Sequence, residues 1–241
     1  MSAKKQVLII CRTAAGQMYL GVLLNRIWYS SVLAKTPEEG ARLAHGASFS
    51  LILFNGGDFE DAGLKPAISL LRSDPAVKQV PLIVFMPHDN PAMNQALLSQ
   101  GCSAILTKPL DLAVVYGILA RLSGQPRTTP RIPAKFRVEI AEATPEKVLT
   151  CINLSEGGLY LRTANPPPEG TVLHIKFTLP LDASPIELTA EVVRTLSLGA
   201  QLEAEPGMGI HFIDMPQETL LRIRNFVQWE LIGDLEWKST I

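Results

Sequence analysis

Five residues in the second half of the sequence have the types and the spacing of a binding site for a phosphodiester with flat bases. Two arginines, Arg127 and Arg131, lie four positions apart in the stretch QPRTTPRIPAKF, and the later stretch NLSEGG adds Asn153, Ser155 and Gly158. Arginine presents planar, bidentate donors that also stack on aromatic rings. These residue types in this order predict a nucleotide-sensing site.

The bulk composition requires that any such site be local. The chain has 241 residues, enough for two ordinary domains, and its formal net charge is -1. A chain without a global basic field is not expected to bind DNA or an anionic membrane surface. No run of about eighteen apolar residues occurs, so neither a secretory signal nor membrane insertion is expected.

The cysteines and histidines do not suggest catalysis or metal binding. Three cysteines, Cys11, Cys102 and Cys151, are far apart in sequence, which argues against a disulfide framework and favours a reducing, cytoplasmic setting. The four histidines lie on different predicted elements, and neither a zinc-ligand spacing nor a nucleophile elbow nor a P-loop is present. We therefore expect no catalytic residues, no metal and no cofactor.

In residues 1–123, short apolar runs alternate along the sequence with longer segments whose apolar residues recur at the helical period. This alternation predicts a flavodoxin-like α/β domain with a parallel sheet covered on both faces. The predicted strands are VLII, SVLA, LILF, PLIVF and AIL, and the predicted helices begin near Ala15, Pro37, Asp61, Pro91 and Asp111.

A linker rich in proline, threonine and arginine is predicted over residues 124–133, and it carries both arginines. Residues 134–241 then predict a six- to seven-stranded antiparallel β-barrel with a C-terminal helix. The predicted strands are FRVEIAEA, KVLTCINL, LYLRTA, VLHIKFTLP, IELTAEVVRTL, AQLEA and MGIHFIDM. Asp214 and Gln217 have the spacing of a helix cap, and the expected apolar stripe is Leu220, Ile223, Val227 and Leu231. The aromatic residues Phe136, Tyr160, Phe177 and Phe212 are expected in the barrel core, with one able to stack on a ligand.

The second half resembles a PilZ domain across roughly residues 125–230. That family carries R-x-x-x-R in a flexible segment before the barrel, matched here by Arg127 and Arg131. It carries [D/N]-x-S-x-x-G at a strand end, matched by Asn153, Ser155 and Gly158. The resemblance implies binding of cyclic di-GMP, a bacterial second messenger with two phosphates and two guanines.

The resemblance also implies a role for each matched residue. The arginines would meet phosphate oxygens and guanine edges or faces, Asn153 would pair with a guanine edge, and Ser155 would supply a hydroxyl. Gly158 would allow close backbone approach and a positive φ. Because Pro126 stands where some relatives place another arginine, one ligand per site is expected. Two further arginines, Arg137 and Arg162, could reach a phosphate, but we expect them on solvated strand faces.

The first half resembles a response-regulator receiver over residues 6–122, most clearly at Lys108 and Pro109 in LTKPL. A working receiver needs an acidic pair after the first strand, an acceptor aspartate ending the third, and a hydroxyl residue ending the fourth. Here those positions hold Cys11 and Arg12, Asn55, and Met86. An amide is not a competent acceptor, and Mg²⁺ prefers carboxylates, so the phosphorylation site is expected to be inactive. Lys108 is expected to be a structural remnant, hydrogen-bonded to Asn55 or to a loop carbonyl.

An acidic cluster follows the acceptor position, formed by Asp58, Glu60 and Asp61. It could hold a metal or a phosphate, but a solvated acidic loop is the favoured interpretation.

Taken together, the two resemblances imply a non-enzymatic cyclic di-GMP effector in which ligand binding at the linker and barrel rearranges the domains. The receiver-like half would be a docking or dimerisation module for a protein partner or a second copy of the chain. The family suggests motility, surface polysaccharide or biofilm as the process controlled. The alternative is a constitutive protein adaptor that binds no nucleotide. A DNA-binding regulator is disfavoured because no helix-turn-helix is predicted.

Overall fold

The computed structural model describes residues 4–59, 61–124, 129–141, 147–180, 182–197 and 205–233. Contacts between α-carbons divide them into two units, residues 4–124 and residues 129–233. Within the described residues, no helix is long and apolar enough to span a bilayer.

The first unit is a five-stranded parallel sheet with helices between its strands, in the order β2-β1-β3-β4-β5. This is the flavodoxin-like order found in receivers, so the predicted fold class is confirmed. The strands are β1 Lys5–Ile10, β2 Tyr29–Ala34, β3 Leu51–Asn55, β4 Leu82–Met86 and β5 Ala104–Thr107. The helices are α1 Ala14–Arg26, α2 Pro37–Ala44, α3 Asp61–Ser73, α4 Pro91–Ser99 and α5 Leu112–Leu122. Every residue of β3 and β4 is buried, as expected for strands covered on both faces.

Local capping signals start these helices close to the predicted positions. The Thr13 hydroxyl accepts a hydrogen bond from the Gly16 amide at the start of α1, and Asn90 does the same for Met93 at the start of α4. Asp111 accepts from two amides at the start of α5. These caps fix the loops at the carboxyl edge of the sheet, where the strand order reverses between β1 and β3 and where ligands of such sheets bind.

In the described residues the second unit is a closed barrel of six strands, in the order β10-β11-β8-β7-β6-β9, and neighbouring strands are antiparallel throughout. The strands are β6 Ile132–Ile140, β7 Lys147–Ser155, β8 Gly158–Arg162, β9 Val172–Phe177, β10 Ile186–Leu196 and β11 Gly207–Ile213. The predicted run AQLEA lies outside the described residues. Inside the barrel the rings of Phe136, Phe177 and Phe212 stack in series, with centroids 5.3 and 6.3 Å apart.

The C-terminal helix α6, Gln217–Ile232, begins later than predicted. Its first flanking residue is Pro216, which provides no side-chain cap, so the predicted cap by Asp214 is wrong. Asp214 has a left-handed backbone with φ 48°. The residue before a proline is disfavoured in the helical region, so Met215 does not start the helix, and α6 begins beyond it at Gln217. The buried stripe of α6 is Ile223, Phe226, Val227 and Leu231, whereas Leu220 is only partly buried.

Candidate functional site

The receiver-type crevice of the first unit holds a hydrogen-bonded network of Lys108, Asn55 and Cys11. Lys108 Nζ donates to Asn55 Oδ1 at 3.0 Å, which is the contact predicted for it. Asn55 Nδ2 in turn donates to Cys11 Sγ at 3.6 Å. Cys11 is fully buried and directly follows β1. Met86 lies at the end of β4 with 3% of its surface exposed. The acceptor position therefore carries an amide between a thiol and an amine.

Burial perturbs the two ionisable groups of this network in opposite directions. Loss of hydration raises the pKa of the Cys11 thiol, because the charged thiolate is poorly solvated there. The same effect lowers the pKa of Lys108, although the nearby Asp58 carboxylate partly opposes it. A buried thiol with a raised pKa is a poor nucleophile, so Cys11 offers no replacement chemistry for the missing carboxylate.

Arg12 joins the loop after β1 to the loop after β3. Its backbone amide donates to Asp58 Oδ2 at 2.6 Å, and its guanidinium donates to the Asp58 carbonyl at 3.1 Å. The guanidinium also lies 4.2 Å from the centroid of the Phe59 ring. The Asp58 carboxylate therefore accepts a hydrogen bond from the loop after β1. Glu60 and the side chain of Asp61 lie outside the described residues.

The strand register of the barrel brings most of the predicted ligand residues to one end of β6, β7 and β8. Asn153 on β7 lies opposite Pro133 on β6 and opposite Tyr160 on β8. Residues directly opposite each other share a face, and Tyr160 alternates with buried leucines, so Asn153 faces outward. Arg131 is exposed and directly precedes β6, at the same end. Arg127 lies outside the described residues.

Asn153 and Ser155 differ in how their polar atoms are satisfied. The Asn153 Oδ1 atom is buried and accepts no hydrogen bond from any described residue. An unpaired buried acceptor is costly, and it is the kind of group that a ligand donor can satisfy. The buried Ser155 hydroxyl instead donates to the Gly158 carbonyl at 3.0 Å and closes the turn between β7 and β8.

Gly158 is required by a close approach between strands. A β-carbon on Gly158 would lie 2.1 Å from the Ile210 carbonyl oxygen on β11. Its φ is not in the left-handed region, so the expected positive φ is wrong. The close approach predicted for this residue is present, but the neighbour in the structure is protein backbone.

The turn between β7 and β8 is also tied to helix α6. Glu156 in this turn has 7% of its surface exposed, and its carboxylate accepts a hydrogen bond from Arg224 Nη2 at 3.0 Å. Such a buried carboxylate needs a partner, because an unpaired buried charge is strongly unfavourable. The motif turn and the C-terminal helix are thus one structural unit.

A groove of about 310 Å³ lies on the outer face beside Asn153. Both β6 and β7 contain a register shift here, near Ala134 and Lys135 on β6 and near Ile152 on β7. Bulges of this kind redirect side chains and are common next to binding sites. The lining residues are Pro133, Ala134, Lys135, Thr150, Ile152 and Arg162. No local pattern indicated the bulges, although strand alternation placed Arg162 outward.

The family model of the PilZ domain matches residues 125–229. The barrel unit is a PilZ domain. No curated protein sequence matches the chain.

Among solved structures, the chain is similar to the receiver domain of a sensor histidine kinase from Pseudomonas aeruginosa, at 20% identity over 51% of this chain and 99% of that one, with a TM-score of 0.44. It is also similar to the chemotaxis protein CheY4 of Vibrio cholerae, at 18% identity over 50% and 99% of the two chains, with a TM-score of 0.45. A third structure is the Bacillus subtilis inhibitor of motility, at 22% identity over 44% of this chain and 52% of that one, with a TM-score of 0.39. The chain thus combines a receiver-type unit, defined by its strand order, with a PilZ domain.

Proposed function

We propose that this protein is a non-enzymatic effector that binds cyclic di-GMP on the outer face of β6, β7 and β8. The observation that carries the proposal is the register that puts Asn153 and Arg131 at one end of a PilZ barrel, beside a groove that contains Lys135 and Arg162. A cyclic dinucleotide presents two phosphates, and the cationic side chains on this face would pair with them.

The same face also carries a hydrogen-bond acceptor and an aromatic ring that are complementary to guanine bases. Guanine offers N–H donors, and the buried Asn153 Oδ1 atom is an acceptor with no partner among the described residues. Tyr160 is half-buried, faces outward opposite Asn153, and presents an aromatic surface to a base. Arg131, and Arg127 from the family motif, supply planar cations for phosphate contact or stacking.

Calorimetry on the full chain tests this proposal. We expect saturable binding of cyclic di-GMP, with weaker binding of cyclic di-AMP because adenine lacks the guanine pattern of donors and acceptors. Arg131→Ala should weaken binding at least tenfold, since a charge-assisted hydrogen bond contributes about 1.5–3 kcal/mol. Arg42→Ala, an exposed arginine on α2, is the matched control and should leave affinity unchanged. Equal affinity in the two variants would remove Arg131 from the mechanism.

Asn153 gives a second, independent test because its predicted effects on binding and on folding have opposite signs. Asn153→Val keeps a β-compatible side chain and removes the unpaired buried acceptor, so the barrel should be as stable as the wild type or more stable. Binding should nevertheless fall, because the guanine loses its acceptor. A variant that loses stability and ligand together would indicate that Asn153 serves only the fold.

We further propose that the receiver-type unit contributes a docking surface and receives no phosphoryl signal. The support is the amide, thiol and amine network at Asn55, Cys11 and Lys108, together with the Arg12 contacts to Asp58. A pull-down from a lysate with and without cyclic di-GMP separates a ligand-controlled effector from a constitutive adaptor. Recovery of the same partners at the same level in both samples would favour the adaptor.

A further inference from the structure

Two adjacent rows of outward side chains cross the barrel beside the groove. The first row contains Asn153 and Tyr160. In the second row Thr150 on β7 lies between Arg137 on β6 and Arg162 on β8. Arg162 follows Tyr160 by two residues on the same strand, so their α-carbons are about 7 Å apart. Arg162 is therefore within one nucleotide's reach of the residues already proposed to hold the ligand.

Arg162 is neutralised by a carboxylate of the same domain. Its Nε and Nη2 atoms donate to the two oxygens of Glu205 at 2.5 and 2.6 Å, a bidentate pair. Both side chains are about half exposed, at 52% and 49%. An ion pair in contact with water is weak, because solvent competes for both partners. The bidentate geometry that fits a carboxylate also fits a phosphate.

We propose that Arg162 is a further phosphate-binding residue of the cyclic dinucleotide site, and that Glu205 occupies it as an internal competitor when no ligand is bound. This inference rests on the proposed function. Ligand binding would exchange the Glu205 carboxylate for a phosphodiester group on Arg162. The Glu205 backbone would stay in place, because its carbonyl accepts a hydrogen bond from the Tyr160 hydroxyl at 2.9 Å.

As a consequence, the wild-type protein would bind the dinucleotide more weakly than its contacts with the ligand alone would allow. The dinucleotide must displace one anion in order to place another, and the displaced carboxylate remains near the bound phosphate. The contribution of Arg162 to ligand affinity is therefore the free energy of its pair with the phosphate minus that of its pair with Glu205. Removal of the negative charge at Glu205 should release that restraint.

Calorimetry with cyclic di-GMP on four full-length variants tests the competition. Glu205→Gln should bind about fivefold more tightly than the wild type, the upper range for an exposed pair. Glu187→Gln is the matched control, because Glu187 pairs with Lys176 on β9 and is also exposed. It should bind as the wild type does. Arg162→Ala should bind about tenfold more weakly.

The double variant R162A/E205Q distinguishes competition from a simple change in local charge. If Glu205 acts by occupying Arg162, the gain from E205Q should largely disappear when Arg162 is absent. A gain of the same size in both backgrounds overturns the inference, as does an E205Q affinity equal to that of the wild type. No binding by the wild type or by any variant overturns the proposed function as well, so the two failures are distinct. Melting temperatures of all variants should lie within a few degrees of one another, because an exposed pair contributes little to folding.

Discussion

The replacement Gly158→Ala tests whether this glycine serves the fold or the ligand. The added β-carbon would lie 2.1 Å from the Ile210 carbonyl oxygen, where about 3.5 Å is the normal separation. The shortfall is about 1.4 Å, and β8 and β11 would have to move apart by roughly that distance. Gly158 lies opposite His211 in this ladder, and the adjacent Phe212 amide donates to the Gly157 carbonyl at 2.9 Å.

The magnitude follows from that separation. Loss of about two backbone hydrogen bonds costs about 1 kcal/mol each, and forced repacking of a tight interior costs about 1–3 kcal/mol. We therefore expect the free energy of unfolding of the barrel to fall by about 3–5 kcal/mol, a large part of the total for a domain of this size. Ligand binding should be lost in parallel, because the motif turn loses its support.

Hydrogen exchange in increasing urea, read at the amides of β8 and β11, reports on the PilZ domain without interference from the other unit. The matched control is Gly157→Ala, whose β-carbon would make an ordinary contact at 3.7 Å with the His211 ring. It should change stability by less than about 0.5 kcal/mol. If these amides are equally protected from exchange in G158A and in G157A, the close approach to Ile210 is not the reason for a glycine at position 158. Loss of ligand binding with unchanged protection would assign Gly158 to the ligand instead.

Three further predictions concern chemistry elsewhere in the chain. Asn55→Asp restores an acceptor carboxylate but leaves Cys11 and Arg12 at the metal-binding positions, so acetyl phosphate with Mg²⁺ should give no shifted band on a phosphate-affinity gel; a shifted band would refute this. The thiols of Cys11, Cys102 and Cys151 are all buried. Burial raises the pKa of Cys102 to about 11 and the pKa of Cys151 to about 12. Ellman's reagent at pH 8 should therefore detect no thiol in native protein and three in denaturant, whereas rapid native labelling would contradict the burial. Hydrogen bonds from the Ser184 amide and from Arg222 lower the pKa of Asp182, so this carboxylate stabilises the fold above its unfolded pKa of about 4 and loses that effect as the pH falls through the folded value. The difference in melting temperature between wild type and Asp182→Asn should shrink on acidification below pH about 4, and a constant difference would argue against the assignment.

Local sequence signals predicted the strands and helices of the first unit well, because each carries its own evidence. The wholly apolar runs of β3 and β4 indicate strands buried on both faces, and Thr, Asn and Asp caps mark the helix starts. The motif NLSEGG likewise predicted a tight turn at a strand end, and it lies between β7 and β8. Such signals involve neighbours within a few residues, so one sequence is sufficient to read them.

Features that depend on distant partners were not predictable in the same way. Arg162 and Glu205 are 43 residues apart, and no local pattern joins them. The bulges in β6 and β7 follow from how three strands fit together in a closed barrel. The misplaced start of α6 is different, because the sequence did contain the signal: Met215 precedes Pro216, and that pair outweighs the capping potential of Asp214.

The ion pair between Glu156 and Arg224 has a thermodynamic consequence for any partner of α6. The turn that carries the ligand motif and the C-terminal helix share this contact. If nucleotide binding at the turn and partner binding at α6 both alter it, the two affinities are linked. Linkage is reciprocal, so a protein that binds α6 more tightly in the presence of nucleotide must raise nucleotide affinity by the same factor. Replacement of Arg224 by alanine would leave the buried Glu156 carboxylate without this cation and should lower nucleotide affinity, although Arg224 need not contact the nucleotide at all.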